Sequence, residues 1–423
     1  MKNIKPLICS YGDKEGGASR AAQGHHKALL SEGIPSEMLV AVKKSDLPFI
    51  HGPTGKYEKG MVHIRREFSQ WLALFQRTSN KNLHSLQLFP SIFKSKLNES
   101  DCDVVNLHWI CSEFLSIEDI GKIKKPLVWT LHDMWPILGA EHYVSDNGFS
   151  RAVLGYKPEN RLPGHGGLDL DRWCWVRKKK AWKTPFQIVV SSQWMKDKVN
   201  ASELMRGWPV TIIPNPIDLK RFSPIDKKTA REILGIPIDR RVVAFGATGG
   251  LNDVRKGGDL LVSALNIINK TVTNLDVLIF GQSRTGFHPI EKNNIIHWMG
   301  PVNDDIVLAL IYSAADVVAI PSRQDNLPLT AAEAQSCACP VVAFNVTGLI
   351  DLIEHKVTGY LASPFSLEDL AFGIKWILES DRRLKSLSIA ARARAELLWS
   401  AEKTNSKYLE VYGKAINQHH ESR

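Results

Sequence analysis

ADVVAIPSRQDNLPLTAAEA, residues 315–334, followed by CPVVAF at 339–344, is the stretch that decides how this chain is read. Val317–Ile320 is a four-residue β-branched and apolar run, too short for a helix and of the kind found in a strand buried on both faces. It ends at Pro321-Ser322. A loop carrying Asp325 follows, and a helix is expected to open near Pro328, since first-turn amides lack partners and tolerate proline. Those amides and the helix dipole favour an anion such as a diphosphate. Asp325 stands just before that helix and Glu333 about a turn and a half inside it. Both are therefore candidates to border the anion and accept hydrogen bonds from sugar or ribose hydroxyls. A second buried run, Val341–Phe344, completes a strand–helix–strand unit.

The same alternation extends in both directions. Strands are expected at Pro6–Ser10, Leu39–Val42, Asp103–Leu107, Leu127–Leu131 and Gln187–Ser191. A second series is expected at Arg241–Phe245, Asp276–Phe280, Ile295–His297, Val317–Ile320 and Val341–Phe344. Helical stretches include Ala18–Ser31, with Gly33 as its stop, and Lys228–Leu234, Gly258–Ile268, Asp304–Ala314, Leu367–Leu378 and Ala401–Ile416. Strands alternating with helices imply parallel sheets covered on both faces. Between the two series, Pro214-Asn215-Pro216 denies both helix and central strand and reads as a hinge. The expected organisation is an α/β chain with two doubly wound, Rossmann-like domains, 1–215 and 216–395. A C-terminal helical segment, 396–423, is expected to pack back on the first domain. Open parallel sheets bind ligands beyond the carboxyl ends of their strands, so two such domains are expected to face each other across a cleft.

Bulk properties fit this reading. The 423 residues are 44% hydrophobic and 23% charged, the profile of a globular protein. No apolar run approaches the roughly 20 residues of a membrane span, and the N-terminal patch Pro6-Leu7-Ile8-Cys9 is too short for a signal-peptide core. Six scattered cysteines suit reduced thiols in a cytosol. The net charge of +10 is compatible with nucleic acid, an anionic membrane or a phosphate-bearing substrate. No zinc-finger spacing, RNP-type strand or basic tail accompanies it, so nucleic acid is not expected as a partner. Cys337 and Cys339 offer only two possible ligands, with no further His or Cys nearby, and read as core thiols rather than a metal site.

The order strand, Pro-Ser, acidic residue, seven residues, Glu-Ala, then Pro-Val-Val-Ala resembles the acidic-x7-Glu signature of family 4 retaining glycosyltransferases. That family has the GT-B fold. The usual first acidic residue is Glu where this chain has Asp325, and the usual Gly stands where it has Cys339. The resemblance implies that Glu333 binds the nucleotide ribose, that Asp325 meets the donor sugar, and that Asn326, Leu327, Pro328 and Leu329 border the donor. It extends to Val254-Arg255-Lys256-Gly257-Gly258, where Lys256 would neutralise the donor diphosphate as the glycosidic bond breaks. The family's second basic residue, in a Gly-Arg-Leu turn, is replaced by Gly246-Ala247-Thr248, and Arg255 is the candidate substitute. VWTLHD, residues 128–133, resembles the N-terminal-domain motif whose histidine reaches the donor sugar, which selects His132. The continuation MWPILGAEHY, residues 134–143, resembles the colanic-acid branch of polysaccharide biosynthesis. GDKEGGASR, residues 12–20, resembles the family's first loop, with Gly16 and Gly17 letting backbone approach a ligand; its spacing is not that of a nicotinamide or flavin fingerprint.

Together these readings predict transfer of a sugar from a nucleoside-diphosphate donor to a glycan or lipid-linked acceptor in cell-surface polysaccharide biosynthesis, with retention. No Asp-x-Asp loop suits a metal, so neither a metal nor a cofactor is expected besides the nucleotide-sugar substrate. The enzyme is expected in the cytoplasm, peripheral to the inner face of the membrane. DRWCWVRKKKAW, residues 171–182, interleaves aromatics with cations; it reads either as a helix with a buried tryptophan side and a solvated basic side, or as a contact for anionic lipid headgroups. Two rivals share the architecture: a non-catalytic sugar-nucleotide-binding protein and a nucleotide-sugar epimerase.

Overall fold

A computed structural model describes residues 4–14, 16–246, 253–272, 274–282 and 295–421, so Ala247 and Thr248 of the altered turn lie outside the described residues. The chain divides into two compact units: Met1–Ile213 with Asn405–Arg423, and Pro214–Thr404.

In the first unit the elements run β1 (Pro6–Gly12), α1 (Gly17–Ser31), β2 (Glu37–Val42), β3 (Ile50–His51), α2 (Lys56–Ala73), β4 (Gln76–Arg77), α3 (Ile92–Glu99), β5 (Val104–Leu107), α4 (Ile117–Ile120), β6 (Leu127–Leu131), α5 (Asp146–Leu154), β7 (Gly166–Gly167), α6 (Leu170–Ala181), β8 (Gln187–Val190), α7 (Gln193–Ala201) and β9 (Val210–Ile212). Seven strands form one sheet in the order β3-β2-β1-β5-β6-β8-β9, parallel throughout. β4 and β7 form a separate antiparallel pair. Every residue of β5 and β8 is buried, as expected of strands covered on both faces. Gly33, with φ of 73°, stops α1 in the left-handed conformation its sequence position implied.

The second unit continues with α8 (Lys227–Leu234), β10 (Arg241–Gly246), α9 (Gly258–Ile268), β11 (Leu275–Phe280), β12 (Ile296–Gly300), α10 (Asp305–Ala314), β13 (Val317–Ile320), α11 (Leu329–Ser336), β14 (Val341–Phe344), α12 (Leu349–Leu352), β15 (Gly359–Ala362), α13 (Leu367–Leu378) and α14 (Asp381–Leu398). Its six-stranded parallel sheet has the order β12-β11-β10-β13-β14-β15. Counted within the unit this is 3-2-1-4-5-6, the doubly wound order whose direction reverses between β10 and β13. Separate apolar clusters cover the two faces, one built around Ala244, Val318 and Val341, the other around Val243, Val317 and Val342. The alternation of inward and outward side chains along each strand produces that split.

The last helix, α15 (Ala401–Glu421), spans the division between the units. From Asn405 onward it belongs to the first. Tyr408 and Tyr412 are buried there against Val104, Val128 and Val189. The Asn106 amide donates to Tyr412 Oη (2.9 Å), and Asn405 donates to the carbonyl of Ala28 (2.8 Å).

Every expected strand is present within three residues of its expected bounds. Unforeseen were β3, β4, β7, β9 and β15, each of two to four residues, and the helices α2, α3, α4, α5, α7, α12 and α14.

Candidate functional site

In the second unit the point where strand order reverses lies between the carboxyl ends of β10 and β13, and the motif residues gather there. Lys256 Nζ donates to Asp325 Oδ2 at 2.5 Å, and Arg255 Nη1 lies 3.7 Å from the same oxygen. Burial alone would raise the Asp325 pKa. The opposing charges of Lys256 and Arg255 outweigh it and hold the carboxyl below its usual range. Arg255 also donates to the carbonyl of Gln324 (3.1 Å) and pairs with Asp253 (3.4 Å), so it is an engaged side chain rather than a solvated one.

Gly257 explains how a loop after β10 reaches a loop after β13. Its φ is 69°, and a Cβ there would sit 1.9 Å from the carbonyl oxygen of Pro321. Only glycine allows that approach. Arg323 secures the junction from the other side: its amide donates to the Arg255 carbonyl (2.8 Å), and its guanidinium binds both Asp259 oxygens (2.8 and 2.6 Å). The Asp325 amide donates to Thr347 Oγ1 (3.3 Å), and its carbonyl accepts from the Gly348 amide (3.1 Å).

Glu333 is the fifth residue of α11 and is 4% exposed; Tyr312 of α10 donates to its Oε2 at 2.8 Å. Asp325 and Glu333 therefore have different partners. Pro328 is the residue before the first turn of α11 rather than within it, and the helix has no side-chain cap. Leu327 is buried in the apolar core and Leu329 is half-buried against it; Asn326 is buried at 3%. α9 likewise starts on Gly257 without a side-chain cap.

In the first unit, His132 follows β6 and its Nε2 lies 2.8 Å from His108 Nδ1, with the rings stacked at 5.1 Å. His108 follows β5, and its Nε2 is 3.4 Å from His25 Nδ1 of α1. His25 in turn stacks on Tyr408 of α15 at 3.8 Å. Burial pushes the His132 pKa down to about 4, against a weaker opposing pull from Asp133, and pushes His25 down to about 3. The three imidazoles thus form a neutral chain at pH 7. Asp133 holds the turn: it accepts from His142 Nδ1 (2.6 Å), Trp109 Nε1 (2.8 Å) and the Trp135 amide (3.0 Å). His142 Nε2 continues to Ser85 Oγ at 2.8 Å.

Gly16 caps α1 with φ of 82° and no side-chain hydrogen bond, and nothing packs within 4 Å of a Cβ built on Gly16 or Gly17. The buried Asp13 pins the loop by accepting from the amides of Lys44 (2.9 Å) and Ser45 (3.0 Å).

The basic run at 178–180 needs a correction. Lys178 is fully buried: its ammonium donates to the carbonyls of Trp135, Leu138 and Gly139 and sits 3.6 Å from the Trp135 ring centroid. Burial pushes its pKa down to about 7. Helical phase turns this cation into the core with Cys174 and Trp175, whereas Lys179 faces Glu203 (2.6 Å). Sequence reasoning also missed Tyr312, Arg323, Thr347, His108 and His25. Their common signal is position just beyond, or packed over, the carboxyl ends of central strands.

Two family models match. "Glycosyltransferase Family 4" covers residues 16–221 and "Glycosyl transferases group 1" covers residues 242–380. The chain belongs to the family 4 glycosyltransferases. Among curated relatives, a D-inositol 3-phosphate glycosyltransferase of Segniliparus rotundus is 32% identical over 204 residues, 45% of this chain and 44% of that protein. A second from Catenulispora acidiphila is 31% identical over 237 residues, 51% of this chain and 54% of that protein. The chain thus spans about half the length of the relatives it matches. Sucrose-phosphate synthase from Thermosynechococcus elongatus superposes with a TM-score of 0.65 at 18% identity, covering 98% of this chain and 99% of that one. Anabaena HepE, solved with UDP and glucose, gives 0.63 at 17%, covering 97% and 100%. At such identities the likeness establishes the fold alone, which is GT-B. In both units of this family 4 chain the motif residues lie at the carboxyl ends of the central strands.

Proposed function

We propose that this chain transfers a sugar from a nucleoside-diphosphate donor to an acceptor hydroxyl, with retention and without a divalent ion. The observation that carries the reading is the Lys256–Asp325 pair at the β10/β13 reversal, flanked by Arg255 and the uncapped start of α11. Lys256 and Arg255 are assigned to the diphosphate. Charge-assisted hydrogen bonds from them strengthen as negative charge grows on the leaving group. The backbone amides at the start of α11 supplement them. Glu333, oriented by Tyr312, is assigned to the ribose hydroxyls, and Asp325 and His132 to the donor sugar. Gly16 and Gly17 give a ligand backbone access at the start of α1.

In the proposed step the bond from C1 to the phosphate oxygen breaks. The acceptor oxygen bonds C1 on the same face, and the acceptor proton passes to the departing phosphate. No carboxylate nucleophile is required.

For the acceptor we favour a glycan or lipid-linked saccharide of cell-surface polysaccharide assembly, on the cytoplasmic side of the membrane. This rests on residues 134–143 and their likeness to the colanic-acid branch. The relatives named D-inositol 3-phosphate glycosyltransferases motivate a second reading, a small phosphorylated polyol.

Nucleotide release from a panel of nucleoside-diphosphate sugars, with and without each acceptor class, tests the proposal. Release from one donor, abolished by Glu333→Ala and Lys256→Ala, is the expected result. Donor binding without release, even with acceptors supplied, would instead identify a non-catalytic binding protein. An isomerised sugar still attached to its nucleotide would identify an epimerase. Loss of activity on chelation, restored by a divalent ion, would overturn the metal-free step.

A further inference from the structure

Helix α2 carries its apolar side chains on the wrong face for a core helix. Val62, Arg65 and Ser69 are buried, while Tyr57, Ile64, Phe68 and Trp71 are exposed, and Leu74 and Phe75 just beyond its end are exposed too. Positions 57, 64, 68, 71 and 75 recur at intervals of seven, four, three and four, so they form one stripe along the helix. Trp71 is 51% exposed and Leu74 76%. Its C-terminal part is continuous: Phe68 meets Trp71 at 5.6 Å and Phe89 at 5.7 Å, and Trp71 meets Phe75 at 5.0 Å. Phe75 is joined to a further exposed residue, Leu168, whose amide donates to its carbonyl. A contiguous apolar surface of this kind marks an interaction site.

Its charge surroundings point to the partner. From Lys56 to Lys81 there are six Lys and Arg residues against two Glu. Glu58 is taken by Lys96 (3.0 Å), and Glu67 lies 4.0 Å from both His63 and Arg66. Lys56, Lys59, Arg77 and Lys81 are exposed. A second copy of the chain docking through this face would set the same cations against themselves, because a two-fold interface is self-complementary. An aromatic stripe bordered by cations instead matches a helix lying in the headgroup region of an anionic bilayer.

We propose that α2, with Leu74 and Phe75, is a membrane-docking surface that seats this chain on an anionic lipid surface. The proposal extends the lipid-linked acceptor reading but depends on the docking face alone. It also moves the membrane contact away from the run at 178–180, whose first lysine is buried.

Co-sedimentation of the full chain with vesicles tests it, using phosphatidylcholine alone and phosphatidylcholine with one-third phosphatidylglycerol. The expected result is binding to the anionic vesicles that weakens with salt. It should fall at least about tenfold in Trp71→Glu/Leu74→Glu and measurably in Lys56→Glu/Lys59→Glu. All four positions are exposed, and matching melting curves would verify that the variants fold. Nucleotide release in the absence of vesicles should be unchanged in both variants, so failure of docking and failure of the transfer reading are separable. Absence of sedimentation, or equal sedimentation of the Trp71→Glu/Leu74→Glu variant, would overturn the proposal. So would a concentration-dependent dimer abolished by the same variant, which would assign the face to a second copy.

Discussion

Replacing Lys256 with Ala tests the site most directly, because it acts on stability and on chemistry through the same atom pair. Asp325 is 7% exposed and accepts from Lys256 Nζ at 2.5 Å, so deleting the ammonium leaves a buried carboxylate short of its nearest counter-charge. Breaking a fully buried pair costs about 3–5 kcal/mol. Here Arg255 remains at 3.7 Å, and the Lys256 side chain is one-fifth exposed, which reduces the expected loss to roughly 2 kcal/mol. For a unit of this size that is a drop of about 4–8 °C in Tm at pH 7. The sign with pH follows from Asp325. Its folded pKa is depressed, so its contribution is present above its unfolded pKa and lost as pH falls through the lower folded one. Without Lys256, burial is less opposed and Asp325 protonates more readily, so the gap between the variant and the parent should narrow on acidification. Asp325→Asn in the Lys256→Ala background should recover much of the stability, since no buried charge then lacks a partner. It should not recover nucleotide release, which is expected to fall about a hundredfold or more in both variants. Calorimetry across pH 4–8 with parallel release assays reads all of this. An unchanged Tm at pH 7, or a loss fully additive in the double variant, would refute the electrostatic account of the pair.

Tyr312→Phe should cost about 1–2 kcal/mol by removing one buried donor to Glu333, and should raise the donor KM more than it lowers kcat; a normal KM would detach Tyr312 from the ribose site. Gly257→Ala removes no contact, yet its Cβ would collide with the Pro321 carbonyl; lost release together with a lower Tm is expected, and a silent substitution would show that the junction yields. Lys178→Met should destabilise by roughly 2–4 kcal/mol, because the carbonyls of Trp135, Leu138 and Gly139 each lose a buried donor; urea denaturation measures it. The histidine chain sets a further pH dependence. His132 and His25 have folded pKa values lowered to about 4 and about 3, so their contribution is full above the unfolded value near 6.5 and declines as pH falls toward those folded values. Stability should therefore drop between about pH 6.5 and 4, and His25→Phe should flatten that slope.

What could be read from the sequence depended on how local the cause was. The β13–α11–β14 stretch was legible because buried parallel strands appear as unbroken apolar runs and the polar residues between them stand out. Lys256 was legible through the likeness of residues 254–258 to the family's Lys-Gly motif at the start of a helix. Its pairing with Asp325, 69 residues away, was not, since it depends on sheet order placing β10 beside β13. His108 was invisible for the same reason: a lone histidine after a strand acquires meaning only when β5 and β6 prove adjacent. Lys178 misled because its neighbours in sequence are cations, while a helix rotates each successive residue by about 100° and turned this one inward. The stripe on α2 escaped notice because its spacing is indistinguishable from that of an ordinary core-facing helix. Only the exposure of each side chain in the fold separates the two.

Helix capping ties these observations together. Among the described residues, nine helices begin on a Ser or Asp whose side chain accepts from a first-turn amide, namely α3 to α8, α10, α13 and α14. A cap of that kind typically contributes about 1 kcal/mol. α1, α2, α9, α11 and α12 forgo it, starting on Gly16, Gly55, Gly257, Pro328 and Gly348. Of these five, α2 follows β3; the other four are entered from the loops after β1, β10, β13 and β14, where the motif residues lie. A capping side chain there would occupy the amides that an anion needs, so the omission costs stability and keeps the site receptive. The argument has a direct check: Gly16→Ser would restore a capping side chain to α1, and it should weaken donor binding even though it removes no functional group. Gly16 has a positive φ that serine tolerates poorly, so a loss of binding counts only in a variant whose melting curve is intact. Unchanged binding in such a variant would mean that the start of α1 is not a ligand contact.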